Sequence, residues 1–135
     1  MLITFNYHCS TWALPGGHLE VSNDMFSLCF LFFMRTMFIQ VGESFEGCAM
    51  RELAEETGIS TVTKVHVLPF TSNDIMPLDG KHYVTVFVAL TVAADATVSL
   101  METSHTEWRW IAMDQIPGPL FAPFQALLNS GVLTA

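Results

Sequence analysis

Three glutamates form the densest cluster of chemically capable side chains in this sequence. Glu52, Glu55 and Glu56 are spaced i, i+3 and i+4, just ahead of a glycine, Gly58, that can end a helix. At about 100° per residue they share one helix face, so like charges crowd a small volume and a cation must offset them. Hard divalent cations such as Mg²⁺ take carboxylate oxygens of this kind, usually alongside phosphates. The spacing predicts a divalent metal site or, as the plainer alternative, a solvated acidic face whose partner is Arg51.

A helix is the element that must position these carboxylates. Its predicted apolar stripe consists of Phe45, Cys48, Ala49 and Leu53. Glu52 and Glu56 continue or flank this stripe, which directs them toward the body of the fold, where buried carboxylates need partners. Ser44 suits the N-cap position of a helix that runs to Thr57, and Gly58 suits the position after its end.

The rest of the chain is predicted to be mostly strands. The predicted elements are a strand over residues 1–8, a strand end and Gly-rich turn over 12–20, strands over 62–70, 82–92 and 107–113, a turn at 77–80, and a helix or irregular segment over 117–128. Strands first, a helix between them and a helix last indicate an α+β or a three-layer α/β/α arrangement.

Three segments together resemble the signature of the MutT/Nudix hydrolases. They are residues 14–20, which contain Gly16 and Gly17, residues 42–46, which contain Glu43, and residues 51–59. From Glu43 to residue 59 the spacing of glutamate, Arg-Glu, Glu-Glu and glycine is similar to the signature without a gap. Further similarity at residues 72–76, 80–88 and 107–110 points to the small eukaryotic nucleotide diphosphatases of the 8-oxo-dGTP type.

The resemblance implies one Nudix domain over residues 1–135, an α/β/α sandwich with a mixed sheet. Relatives carry more strands before the segment that matches residues 12–17, so the N-terminal strands are expected to be truncated here. The implied activity is Mg²⁺-dependent hydrolysis of a nucleoside triphosphate, normal or oxidised, to the monophosphate and pyrophosphate. Three alternatives stay open: an impaired binding or regulatory module with this fold, a membrane-tethered protein, and a hydrolase of NADH, dinucleotide polyphosphates or isoprenoid diphosphates.

The resemblance also implies roles for the acidic residues. Glu52 and Glu56 would be metal ligands, and Glu55 would be a third ligand or the general base, so that Glu52 and Glu55 are the catalytic candidates. Mn²⁺ is an alternative to Mg²⁺. The backbone carbonyl of Gly17, or less favourably Gly16, would complete the metal shell.

Other residues would contact the substrate or support the site. Gly16, Gly17 and His18 are the substrate-binding candidates, with a surface-loop histidine as the plainer interpretation of His18. Arg51 would orient the carboxylates through an ion pair, and Glu43 would brace the loop before the helix rather than bind metal.

An inserted segment interrupts the signature between Gly17 and Glu43. The signature has five residues there, whereas this chain has 25, and removing the 20 residues from Val21 to Gln40 would restore the spacing. Residues 25–34 are nearly all apolar and are followed by Arg35. An apolar loop beside a phosphate site must bury against its own domain or another chain.

Four interpretations of this insertion compete. The first is a membrane span, but a span needs about 20 apolar residues and this run is too short. The second is a signal peptide, which would lie at the N-terminus behind basic residues, unlike this segment. The third is a hairpin or helix that covers the site. The favoured hypothesis is a retained non-coding stretch, because Val codons begin with GT, Gln can be encoded CAG, and Phe and Leu codons are pyrimidine-rich, as at intron ends.

The composition of the chain limits the kinds of partner that it could bind. The chain has 135 residues, is 51% hydrophobic and carries a net charge of −8, which disfavours a DNA or RNA surface but allows a small phosphorylated substrate screened by metal ions. Its 3 cysteines show no zinc spacing, so the cytoplasm is the expected compartment. Trp108 and Trp110 are expected in the core or in a homodimer interface.

Overall fold

The structure, a computed structural model, describes residues 2–6, 11–13, 19–24, 29–34, 40–76, 81–99 and 108–133. Its elements are β1 Leu2–Asn6, β2 Thr11–Ala13, β3 Leu19–Asp24, β4 Cys29–Met34, α1 Phe45–Thr57, β5 Val62–Met76, β6 Lys81–Val92, β7 Trp108–Trp110, a 3₁₀ turn Met113–Gln115 and α2 Ala122–Asn129.

The strands form two sheets, one of three strands in the order β2-β1-β7 and one of four in the order β3-β4-β6-β5. The ladders between these strands are antiparallel. An isolated bridge between Trp12 and Leu120 is parallel, so the strand pairing is mixed as predicted. Arg109 of β7 lies over the Trp12 ring, 5.0 Å from its centroid, and links β7 to β2.

Strand β6 separates two apolar clusters because its alternate residues face opposite layers. Val88, Leu90 and Val92 join the cluster that contains Cys48, Ala49 and Leu53 of α1. Phe87 joins Phe121, Phe124 and Leu127, the last two of them on α2. The four-stranded sheet therefore lies between α1 and α2, which gives the α/β layered arrangement that the sequence predicts. Trp108 and Trp110 pack against the cluster beneath α1, as expected for core residues.

Helix α1 forms where the sequence predicts it. The Ser44 side chain accepts a hydrogen bond of 3.1 Å from the Gly47 N–H and so caps the N-terminus. Gly58 ends the helix at φ 74°, in the left-handed region that favours glycine, and its N–H bonds to the Ala54 carbonyl at 3.0 Å.

Other bounds differ from the predicted ones. Strand β5 extends to Met76 instead of ending at Phe70, because a register shift between Val67 and Thr71 accommodates Pro69, which lacks an N–H for the ladder. Strand β7 is shorter than the predicted strand, since Met113 begins a 3₁₀ turn. The predicted turn at residues 77–80 lies outside the described residues.

The inserted segment contains a hairpin. Strands β3 and β4 pair from Leu19↔Met34 to Asp24↔Cys29, and β4 also pairs with β6. The described backbone of this segment therefore forms two strands, both of which belong to the four-stranded sheet. No helix in the described part of the chain is long and apolar enough to cross a membrane.

Candidate active site

The three predicted glutamates lie on α1 at different depths. Glu56 is buried at 1% exposure and lies near the apolar cluster beneath the helix. The Glu52 side chain is 16% exposed, and the Glu55 side chain is 57% exposed. The three carboxylates therefore range from buried to exposed and do not share one solvated face.

Arg51 joins the two ends of the acidic cluster. Its Nε and Nη2 atoms donate to the two carboxylate oxygens of Glu43 at 3.0 and 3.2 Å, a bidentate pair. Its Nη1 atom contacts Glu52 Oε1 and donates to Glu55 Oε2 at 3.2 Å. One guanidinium thus binds three carboxylates, one before the helix and two on it.

Glu43 also holds the turn before α1. Its Oε2 accepts a hydrogen bond of 3.0 Å from the Gln40 N–H, and its own N–H donates to the Gln40 carbonyl at 2.8 Å. Hydrogen bonds from Arg51 and then from the Gln40 backbone lower the pKa of the Glu43 carboxyl, because both stabilise its charged form. These hydrogen bonds connect the turn before α1 to Arg51 on the helix.

The basic and sulfur groups of this network are fixed in one protonation state. The hydrogen bond to Glu43 raises the pKa of Arg51 above its usual range, so the guanidinium stays charged. Burial raises the pKa of the Cys48 thiol to about 11, and the nearby Glu43 charge acts in the same direction. Cys48 Sγ lies 3.5 Å from Arg51 Nη2. The raised pKa and the full burial of Cys48 favour the neutral thiol and suit a packing role.

The C-terminal end of α1 is closed by backbone and hydroxyl contacts. The buried Thr57 hydroxyl donates to the Leu53 carbonyl at 2.7 Å and accepts from the Ile59 N–H at 3.2 Å. The Ser99 N–H donates to the Thr57 carbonyl at 2.9 Å. These contacts fix the helical turn that carries Glu56. Thr57 is predicted as the last helical residue, whereas its hydroxyl contacts and the bond from Ser99 are not, although a helix-terminal Thr followed by Gly could indicate the former.

The helix end that carries Glu55 and Glu56 is electrostatically unfavourable for carboxylates. The C-terminus of a helix dipole is negative and favours cations. The last turn of α1, all of which the structure describes, holds no basic residue. A buried carboxylate such as Glu56 is costly without positive charge or donors. Its Oε2 atom is enclosed and takes no hydrogen bond from the described residues, while the side chain has other interactions.

The donor set suits a hard divalent cation, since Glu52, Glu55 and Glu56 all offer carboxylate oxygens. Within the described ranges, no three His, Cys, Asp or Glu side chains are already grouped so that they could hold a metal ion. Binding would therefore draw Glu52 and Glu56 together or recruit an oxygen from elsewhere in the chain. The other predicted contributors, Gly16, Gly17 and His18, lie outside the described residues.

Comparisons with known proteins identify the family and the fold of this chain. Residues 2–128 match the NUDIX domain. The chain is also similar to the crystal structure of a MutT NUDIX hydrolase from Burkholderia pseudomallei, with a TM-score of 0.64 and 24% sequence identity, over 95% of this chain and 84% of that one. The second comparison supports the fold, and the first assigns the family across nearly the whole sequence. This chain belongs to the Nudix family and is a Nudix hydrolase.

Proposed function

We propose that this chain hydrolyses a nucleoside triphosphate, normal or oxidised, to the monophosphate and pyrophosphate with Mg²⁺, which Mn²⁺ can replace. Nudix hydrolases in general use divalent metal ions and act on small nucleotide substrates. The acidic face of α1 has the donor type for such an ion. The observation that carries the proposal is the buried carboxylate of Glu56, 1% exposed, on the same helix as Glu52 and Glu55.

Glu52 and Glu56 would hold the ion, because they lie at the inner side of the helix. A bound divalent ion lowers the pKa of water and neutralises charge on phosphate oxygens. Glu55 is the most exposed of the three and is a side chain that can take a proton from the attacking water or act as a third ligand. Arg51 keeps Glu52 and Glu55 on the same side of the helix through its Nη1 atom.

The remaining parts of this proposal rest on sequence. The Gly17 carbonyl is proposed to complete the metal shell, and Gly16, Gly17 and His18 to contact the phosphates. Cytoplasmic location is proposed from the cysteine content, and a homodimer stays a prediction. The net charge of −8 supports a small nucleotide rather than DNA or RNA as the phosphorylated partner.

The decisive variant is Glu56→Gln, which keeps the size of the side chain and removes its charge. We expect pyrophosphate release from dGTP and 8-oxo-dGTP to fall by at least about 100-fold, because loss of a metal ligand removes several kcal/mol of transition-state stabilisation. A cooperative unfolding transition without metal shows that the variant is folded. Mg²⁺ or Mn²⁺ should raise the melting temperature of the wild type, but not that of the variant.

Glu46→Gln is the matched control, because Glu46 lies on the same helix but in its first turn. Its turnover and its response to Mg²⁺ should equal those of the wild type. An unchanged rate in Glu56→Gln would overturn the metal assignment. Mg²⁺ binding by a wild type that turns over neither nucleotide, nor NADH, dinucleotide polyphosphates or isoprenoid diphosphates, would instead support the impaired binding module.

A further inference from the structure

Strand β4, inside the inserted segment, lies next to the strand that separates the two apolar clusters. It pairs with β6 from Cys29↔Thr91 to Phe33↔Phe87. From these pairs we infer that strands β3 and β4 are a structural part of the sheet, in which β4 supplies the second neighbour of β6. This inference concerns the insertion alone and does not depend on the proposed activity.

The backbone of β6 needs a partner on the side that β4 occupies. Phe87, Val88 and Leu90 are each 0% exposed, and they face both layers of the fold. The other edge of β6 is already paired with β5, for example at Val67↔Val88. Buried N–H and C=O groups left without partners are costly, so an unpaired edge here would destabilise the sheet.

The composition of the hairpin suits its two positions in the sheet. Strand β4 consists of Cys29, Phe30, Leu31, Phe32, Phe33 and Met34, which are all apolar. A short continuous apolar run is typical of a strand between two others with both faces covered. Strand β3 contains Glu20, Ser22, Asn23 and Asp24 and lies at the edge of the sheet. Polar and charged residues are usual on edge strands, because they discourage pairing with other chains.

The antiparallel pairing also brings the two ends of the hairpin together. Leu19 and Met34 are partners at its open end. Partner Cα atoms in an antiparallel pair are about 5 Å apart, so the chain returns beside the point where it left. The hairpin therefore adds sequence length with little distance between its ends.

Hydrogen exchange on the full chain tests this inference without any activity assay. Peptides that cover residues 29–34 and 87–91 should both be protected, with slow exchange of the same order. Exchange of residues 29–34 at the rate of an unfolded peptide, with 87–91 still protected, would overturn it. A full chain that shows no protection at 87–91 would overturn it as well.

Two variants give an independent readout. Phe32→Pro removes a donor from the middle of β4, opposite Val88, and should lower the melting temperature by about 5 °C or more. Thr61→Pro, in the exposed connection before β5, is the control and should have a smaller effect. Deletion of residues 21–40 should abolish cooperative unfolding. A deleted chain that unfolds cooperatively at the wild-type temperature or above would refute a structural role and favour the non-coding interpretation of this segment.

Discussion

The two ends of helix α1 differ in how their charges are compensated. At the N-terminal end, Glu43 is bound by Arg51 and by the Gln40 N–H, and Ser44 caps the first turn. At the C-terminal end, Glu55 and Glu56 occupy a last turn without a basic residue. Arg51 thus connects the two ends, since it contacts Glu43 before the helix and Glu55 in the last turn.

This difference distinguishes the carboxylate that braces the helix from those proposed to bind metal. A carboxylate that accepts bonds from a guanidinium and a backbone N–H stabilises the fold, as Glu43 does. Carboxylates at the negative end of a helix dipole cost stability, and a ligand that brings positive charge would offset this cost. We call the N-terminal end, with Glu43, Ser44 and Arg51, the frame, and the C-terminal end is the proposed metal site.

Replacement of Arg51 is expected to have the largest effect on the difference between the two helix ends. Arg51→Met should lower the free energy of unfolding by about 2 kcal/mol, because three carboxylates lose their shared donor in a partly buried position. Arg51→Lys should recover part of this loss, since an ammonium group keeps the charge but cannot form the bidentate pair. Chemical denaturation without divalent ions measures both variants.

Lys64→Met is the matched control for loss of a cation. Lys64 is exposed on β5, and its replacement should change stability by no more than about 0.5 kcal/mol. Equal losses in Arg51→Met and Lys64→Met would mean that net charge, rather than the Glu43–Arg51 network, determines the stability of the helix.

The N-cap tests the frame without touching any charge. Ser44→Ala should cost about 1 kcal/mol, because the Gly47 N–H loses its side-chain acceptor at the helix start. Ser60→Ala, in the exposed connection after α1, should be close to neutral. Thermal unfolding distinguishes them, and a Ser44→Ala protein as stable as Ser60→Ala would show that tertiary packing alone holds this end.

Local sequence signals predict the bounds of α1, but they predict only part of its ion-pair network. Ser44 and Gly58 act within a few residues of the helix ends, so their types fix its bounds, and both ends were correctly predicted. Of the predicted apolar stripe, Cys48, Ala49 and Leu53 are buried, whereas Phe45 at the helix start is 39% exposed. The depth of each glutamate and the contact between Arg51 and Cys48 depend on side-chain packing against other elements, which spacing along one helix does not encode.

Long-range pairing explains the predictions that differ from the structure. The sequence pattern predicts a strand that ends at Phe70, yet pairing with β6 continues beyond it to Met76. The inserted segment showed an apolar run without periodicity, which does not reveal a partner strand. Its neighbour β6 is more than 50 positions later in the sequence, as Phe33↔Phe87 shows.

Acid titration gives the smallest and most specific test of the frame. The pKa of Glu43 is lowered from its ordinary value of 4.5, so its ion pair stabilises the folded state above pH 4.5 and loses this effect as pH falls through the folded value. The wild type should therefore be more stable than Glu43→Gln at pH 7, and the difference should shrink below pH 4.5. Denaturation curves at pH 7 and pH 3 measure it. A difference that stays constant between these values would mean that Glu43 acts through packing and its Gln40 bond, and that Arg51 is oriented mainly by the glutamates of the helix.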